Sequence, residues 1–136
     1  MKRIKIVTLM SVVFVLLLTL LTACGGSANT VETCVISTAP YTEKDALESA
    51  SQPESFEAGQ DIFASVRFIE SPLGMEYTGI WYIDGKEIKV EEKEMTTDKS
   101  GIIVYSLTAD KVIAGIVRFE ILHGDDVLYS KELPVQ

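Results

Sequence analysis

The sequence predicts an all-β protein, an antiparallel sandwich of about seven strands. Three observations carry this prediction. From Gly59 onward, apolar residues alternate with polar ones in short runs, the pattern of strands buried on one face. Turn signals separate these runs at spacings of roughly 8–12 residues. No run after Cys24 combines the length and the 3.6-residue period of a helix.

The elements follow in order. Val31 to Ala39 holds a weakly alternating first strand. Pro40 to Glu57, rich in Ser, Glu, Ala and Pro, is expected to be a long connection over the surface. Asp45 to Ala50 within it has the composition of one helical turn, too short to stand alone. Asp61 to Glu70 is a strand with Ile62, Ala64, Val66 and Phe68 on one face. Ser71-Pro72-Leu73-Gly74 breaks it. Tyr77 to Asp84 is the next strand, with Tyr77, Gly79, Trp81 and Ile83 on one face. Asp84-Gly85 then signals a type I′ hairpin turn, whose two central residues need positive φ. Lys86 to Val90 returns beside it, and Glu91 to Ser100 reads as a charged loop. Gly101 to Leu107 is rich in β-branched residues and is strand-like. Thr108 to Ala114 connects. Gly115 to His123 places Val117, Phe119 and Ile121 inward, with Arg118 and Glu120 outward. Gly124-Asp125-Asp126 turns the chain into Val127 to Val135, where Pro134 suits an edge strand.

Ahead of this body stands a different kind of segment. Lys2, Arg3 and Lys5 precede an apolar run of 16 residues from Ile6 to Leu21, and Leu21-Thr22-Ala23-Cys24 follows. A membrane span needs about 20 apolar residues, so the run suits a secretory leader better. Together these residues resemble the signal peptide and lipobox of bacterial lipoproteins. The resemblance implies cleavage between Ala23 and Cys24 and a lipid, such as a diacylglyceryl group with palmitate, on the Cys24 sulfur. Two or more chains give a stable anchor where one does not. The protein is then expected on the extracytoplasmic face of the cell membrane. Gly25, standing where Asp often marks inner-membrane retention, favours the outer membrane in a two-membrane cell. The expected division is 1–23 leader, 24–32 lipidated Cys and flexible tether, and 33–136 folded domain with its core in 56–135.

The folded part resembles bacterial immunoglobulin-like domains at Trp81 in a central strand, at the Asp84-Gly85 hairpin, and at Ala114-Gly115 leading into an alternating strand. It lacks the paired cysteines of antibody domains.

Loss of the leader leaves 113 of the 136 residues, enough for one domain. It also removes three basic residues, leaving nine Lys and Arg against 20 Asp and Glu, a charge of −11. Such acidity argues against nucleic acid, whose recognition needs a basic patch. With Cys24 lipidated, Cys34 stands alone and is expected to be buried and inert.

No catalytic residues and no metal ligands are assigned, no cofactor is expected, and an enzyme is not expected. His123, the one histidine, sits beside Asp125 and Asp126 on a turn that implies no pocket. Asp84-Gly85, Asp125-Asp126 and the run Glu91, Glu92, Glu94 supply too few oxygens in one loop for calcium. Tyr82 and Ile80, with Tyr77, are the candidate binding surface. Ile102 and Val104 are expected to extend an apolar patch there, covered by the Pro40 to Glu57 connection. The expected function is a non-catalytic binding module whose partners are the membrane, through Cys24, and an envelope protein or glycan. The alternatives are an accessory subunit of an envelope complex, a carbohydrate-binding module stacking sugars on Tyr82 or Tyr77, and a protease inhibitor acting through the Glu91 to Ser100 loop.

Overall fold

A computed structural model describes residues 30–136. The leader, Cys24 and the first part of the tether lie outside the described residues. Seven strands run in order: β1 (Val31–Ser37), β2 (Ile62–Ser71), β3 (Glu76–Ile83), β4 (Lys86–Glu94), β5 (Lys99–Leu107), β6 (Gly115–His123) and β7 (Asp126–Val135). A short helix, α1 (Lys44–Ser49), lies between β1 and β2. The strands form two sheets, β1-β2-β5 and β4-β3-β6-β7, and every named neighbour pair is antiparallel.

This is the immunoglobulin-like sandwich that the alternation predicts. In antibody constant domains the fourth strand joins the first sheet. Here β4 follows the Asp84-Gly85 hairpin and stays beside β3, enlarging the second sheet. The turn has the geometry that its sequence demands, with φ of 48° at Asp84 and 80° at Gly85. The Asp84 carboxylate accepts a bond from the Ile116 amide at 2.8 Å, and the Asp84 amide donates to the Ile116 carbonyl at 2.9 Å. Gly115 must be glycine there: its φ is 145°, and a Cβ would stand 2.7 Å from the Asp84 carboxylate.

The core lies between the sheets. Ile62, Ala64, Val66 and Phe68 of β2 are fully buried, as are Trp81 of β3 and Val117, Phe119 and Ile121 of β6. Large rings fill the centre. Trp81 and Phe119 have centroids 4.5 Å apart, and Phe68 stacks on Tyr77 at 4.0 Å. Tyr105 lies over Gly79, where any Cβ would meet its ring at 2.5 Å, and its hydroxyl donates to the Tyr77 carbonyl at 2.8 Å.

Three boundaries differ from expectation. The predicted loop at 91–100 is mostly strand, because β4 runs on to Glu94 and β5 begins at Lys99. Only 95–98 remain between them, and Met95 there is buried. The folded domain begins at Val31 rather than at residue 33, because Val31 packs into the core. Cys34 and Ile36 join that core too, so it reaches upstream of residue 56.

Candidate functional site

The two sheets turn very different outer faces to their surroundings. On the three-stranded sheet, the 38–55 connection forms a third layer. Leu47 of α1, part of this connection, is fully buried. Ser65 and Val35 point away from the core yet are buried, and the Tyr41 amide donates to Ser65 Oγ at 2.9 Å. Arg67, also outward on β2, pairs with Glu32.

This layer is not where the sequence places it. Ile102 and Val104 pair with Arg67 and Ser65, so they lie on the outer side of the three-stranded sheet. Ile80 and Tyr82 lie on the outer side of the other sheet. The four residues therefore form no common patch, and the connection covers the sheet of Ile102 and Val104. Tyr77 also leaves the candidate surface. It shares the inward face with Trp81, is 2% exposed, and its hydroxyl hydrogen-bonds Ser71 Oγ at 2.6 Å.

The outer face of the four-stranded sheet has no such layer among the described residues. Ile80 sits at its centre, opposite Val90 on β4 and Glu120 on β6. Tyr82 lies opposite Arg118, whose guanidinium stacks over the Tyr82 ring at 4.1 Å. Arg118 Nε lies 3.0 Å from Glu120, and its Nη1 lies 3.8 Å from Glu132. Val90 (52%), Ile116 (44%) and Val127 (54%) are exposed around this centre. At one end, Glu76 and Glu92 share a hydrogen bond, which raises the Glu76 carboxyl above the usual range. The result is a flat, partly apolar face with an acidic margin and one stacked arginine.

The strand edges are managed separately. Gln52 acts as a strand partner for β1: its Oε1 accepts from the Ile36 amide at 2.9 Å and its Nε2 donates to the Ile36 carbonyl at 2.7 Å. Residues 56–58 bond to the end of β7, with Phe56 bridging Val135. The edge of β5 is capped from β4. Lys89 Nζ donates to the Ser106 carbonyl at 2.6 Å, and Lys93 Nζ to the Val104 carbonyl at 2.7 Å. Glu91 lies between these lysines, 3.4 Å from each. Such inward charges are a known device for blunting a sheet edge. The hydrophobic alternation carries no trace of these caps, and neither Gln52 nor Arg118 stands out in the sequence.

Cys34 is buried as expected. Burial pushes its thiol up to about 12, against weaker lowering by the Tyr129 hydroxyl and Lys131. His123 ends β6, with its Nδ1 3.2 Å from the Glu76 carbonyl and its ring 5.8 Å from Tyr77. It borders a cleft of about 260 Å³ with Thr30, Glu70 and Asp126. Among the described residues, no three His, Cys, Asp or Glu side chains are grouped to hold a metal ion. No helix among them is long and apolar enough to cross a membrane.

No protein-family model matches the chain, and no curated protein matches it. Similar solved structures do exist. An immunoglobulin-like protein from Pseudomonas aeruginosa is 17% identical over 82% of this chain and 100% of its own, with a TM-score of 0.47. The CARDB domain of a Pyrococcus furiosus protein, solved with di-metal ions, is 10% identical over 81% of this chain and 97% of its own, with a TM-score of 0.42. A β-glucosidase from Listeria innocua is 13% identical over 63% of this chain, with a TM-score of 0.47. This chain spans 15% of that enzyme's length. These likenesses describe an arrangement of strands and bring no activity or partner with them.

Proposed function

We propose that the chain is a lipid-anchored extracytoplasmic binding module that recognises an envelope protein through the outer face of its four-stranded sheet. One observation supports this reading above the others: the outer face of one sheet is roofed, while the outer face of the other lies open around Ile80. An open sheet face with an apolar centre and charged margin has the anatomy of a protein interface. The margin contains Glu76, Glu92 and Glu132, so the fitting partner is apolar at its centre and basic at its rim. Anchoring rests on Leu21-Thr22-Ala23-Cys24, with the tether setting the reach of the domain.

Two alternatives are less well supported. Sugar stacking needs a bare aromatic face, and Arg118 lies over Tyr82. Inhibition of a protease through a long loop at 91–100 loses its loop, because β4 and β5 take up most of it.

The test is photo-cross-linking of the full chain in cells, with the reactive group at Ile80 and, as comparator, at Thr42. One envelope protein captured from position 80 and absent from position 42 is the expected result. Equal capture from both positions, or none from position 80, ends the proposal for this face. The anchor is tested apart from it: labelled palmitate enters the parent chain and is lost in Cys24→Ser. Failure of the parent chain to take up label removes the anchor while leaving the face untouched.

A further inference from the structure

Between the roof and the β4–β5 link lies a cleft of about 350 Å³. Arg67 reaches it from β2, Thr42 and Lys44 from the roof, Thr96 from the link and Ser100 from the start of β5. No acid lines it, although the chain without its leader has 20 acids against nine Lys and Arg. Arg67 is the most telling of these residues. Its side chain is only 11% exposed, yet a guanidinium has five N–H donors to satisfy. Among the described residues its one side-chain partner is Glu32, which takes up Nη1. The remaining donors are left for whatever fills the cleft. The hydroxyls of Thr42, Thr96 and Ser100 likewise have no hydrogen-bond partner among the described residues. Lys44 reaches Glu48 at 3.9 Å, but both side chains are exposed, and such a pair holds a lysine weakly. Asp98 of the link is turned to the Leu73 amide. The link itself is pinned to β5. Thr97 Oγ1 donates to the Ser100 carbonyl at 2.7 Å, and a Cβ on Gly101 would stand 2.3 Å from that oxygen.

We propose that this cleft binds a small soluble phosphate ester, its phosphate held by Arg67 and Lys44 and bonded by the Thr42, Thr96 and Ser100 hydroxyls. A guanidinium fork matches phosphate oxygens in pairs. A terminal phosphate also offers three strong acceptor oxygens, which suits donors arriving from separate segments, whereas a planar carboxylate offers two. The volume stands at the small end of cavities that hold organic ligands, about 300–1,000 Å³, so the esterified part enters with the phosphate. The acidity of the rest of the chain repels long polyanions and anionic bilayers, which leaves a single small anion as the fitting ligand. The site lies on the roofed sheet and does not depend on the open face proposed above.

The experiment follows the amide NMR signals of the full chain in neutral detergent micelles during titration with sn-glycerol 3-phosphate. Glycerol is the uncharged control. The amides of Thr96, Ser100 and Ile102 are expected to move and saturate with the ester, while Ile80 on the other sheet stays still and glycerol moves none of them. Arg67→Lys keeps the charge and loses the fork, and is expected to bind about tenfold more weakly. Lys44→Gln changes an exposed side chain that the core does not use, and is expected to bind about threefold more weakly. It keeps the test open if Arg67→Lys fails to fold. No movement of the three amides, equal movement with glycerol, or binding at the parent's level by either folded variant overturns the proposal. Phosphatidylglycerol vesicles form a separate arm. Movement with these vesicles and not with the soluble ester overturns the proposal in favour of a lipid headgroup.

Discussion

The outer faces of the two sheets are built from the same kind of strand and meet opposite fates. On the three-stranded sheet, Ser65 and Val35 point away from the core and are nevertheless buried, because residues 38–55 lie over them and Leu47 fills the space between. On the four-stranded sheet, Ile80 and Tyr82 also point outward; Arg118 with its two glutamates lies over Tyr82, and Ile80 has no covering layer among the described residues. One face has become a second small core, and the other remains a surface. The difference lies in the connections rather than in the strands. The long 38–55 link has residues to spare for a roof, whereas the tight turns at Asp84-Gly85 and Gly124-Asp125 have none.

The contrast can be broken at its strongest point. Leu47→Ala removes the buried side chain of the roof and is expected to cost about 2–5 kcal/mol, the range for large-to-small changes in a packed interior. Urea unfolding followed by Trp81 fluorescence measures it. A loss below about 0.5 kcal/mol, the scale of ordinary surface substitutions, means that the roof is a loose cover and not a core. The clip on β1 is smaller in effect. Gln52→Ala leaves the amide and carbonyl of Ile36 without partners and is expected to cost about 1–3 kcal/mol. Amide hydrogen exchange gives the local reading, with Ile36 losing protection while Phe119 in the centre of the other sheet keeps it. The smallest effect belongs to the open face. Ile80→Ser is expected to change stability by less than about 1 kcal/mol while abolishing capture of the partner, because recognition and not folding uses that side chain. A large loss of stability there would place Ile80 in the fold rather than at an interface.

Much of the architecture was legible because its strands obey a simple alternation. β2 and β6 carry an unbroken apolar series on one side, Ile62 to Phe68 and Val117 to Ile121, so their inward sets are correct in the sequence. β4 escaped for a physical reason. Lys89, Glu91 and Lys93 occupy inward positions at an edge, where they reach the β5 carbonyls instead of the core. With charges on both faces, the strand looks like a loop. One signal was available: a hairpin closed by Asp84-Gly85 needs a return arm about as long as β3, which carries β4 well past Val90. The roof was legible only in part: the 40–57 connection was expected as a cover over Ile102 and Val104, but over Ile80 and Tyr82 as well, which lie on the other sheet. Nothing local to Ser65 marks it as covered, since that depends on where a distant segment lies. The grouping of Tyr77 with Tyr82 contradicted their own alternation, which puts them on opposite sides of β3.

The place where the chain enters the fold carries a mechanical consequence. The Thr30 carbonyl accepts from the Ile69 amide at 2.8 Å, and β1 runs on from it along the full ladder with β2 to Ser37. Under the proposed anchor, tension reaching Thr30 would pull β1 lengthwise. Its rungs lie across that pull and share the load together, in shear, instead of unzipping singly. A partner gripping the opposite sheet would transmit its drag through the packed interior to this one strand, whose seat against β2 then sets the force the module withstands before it yields.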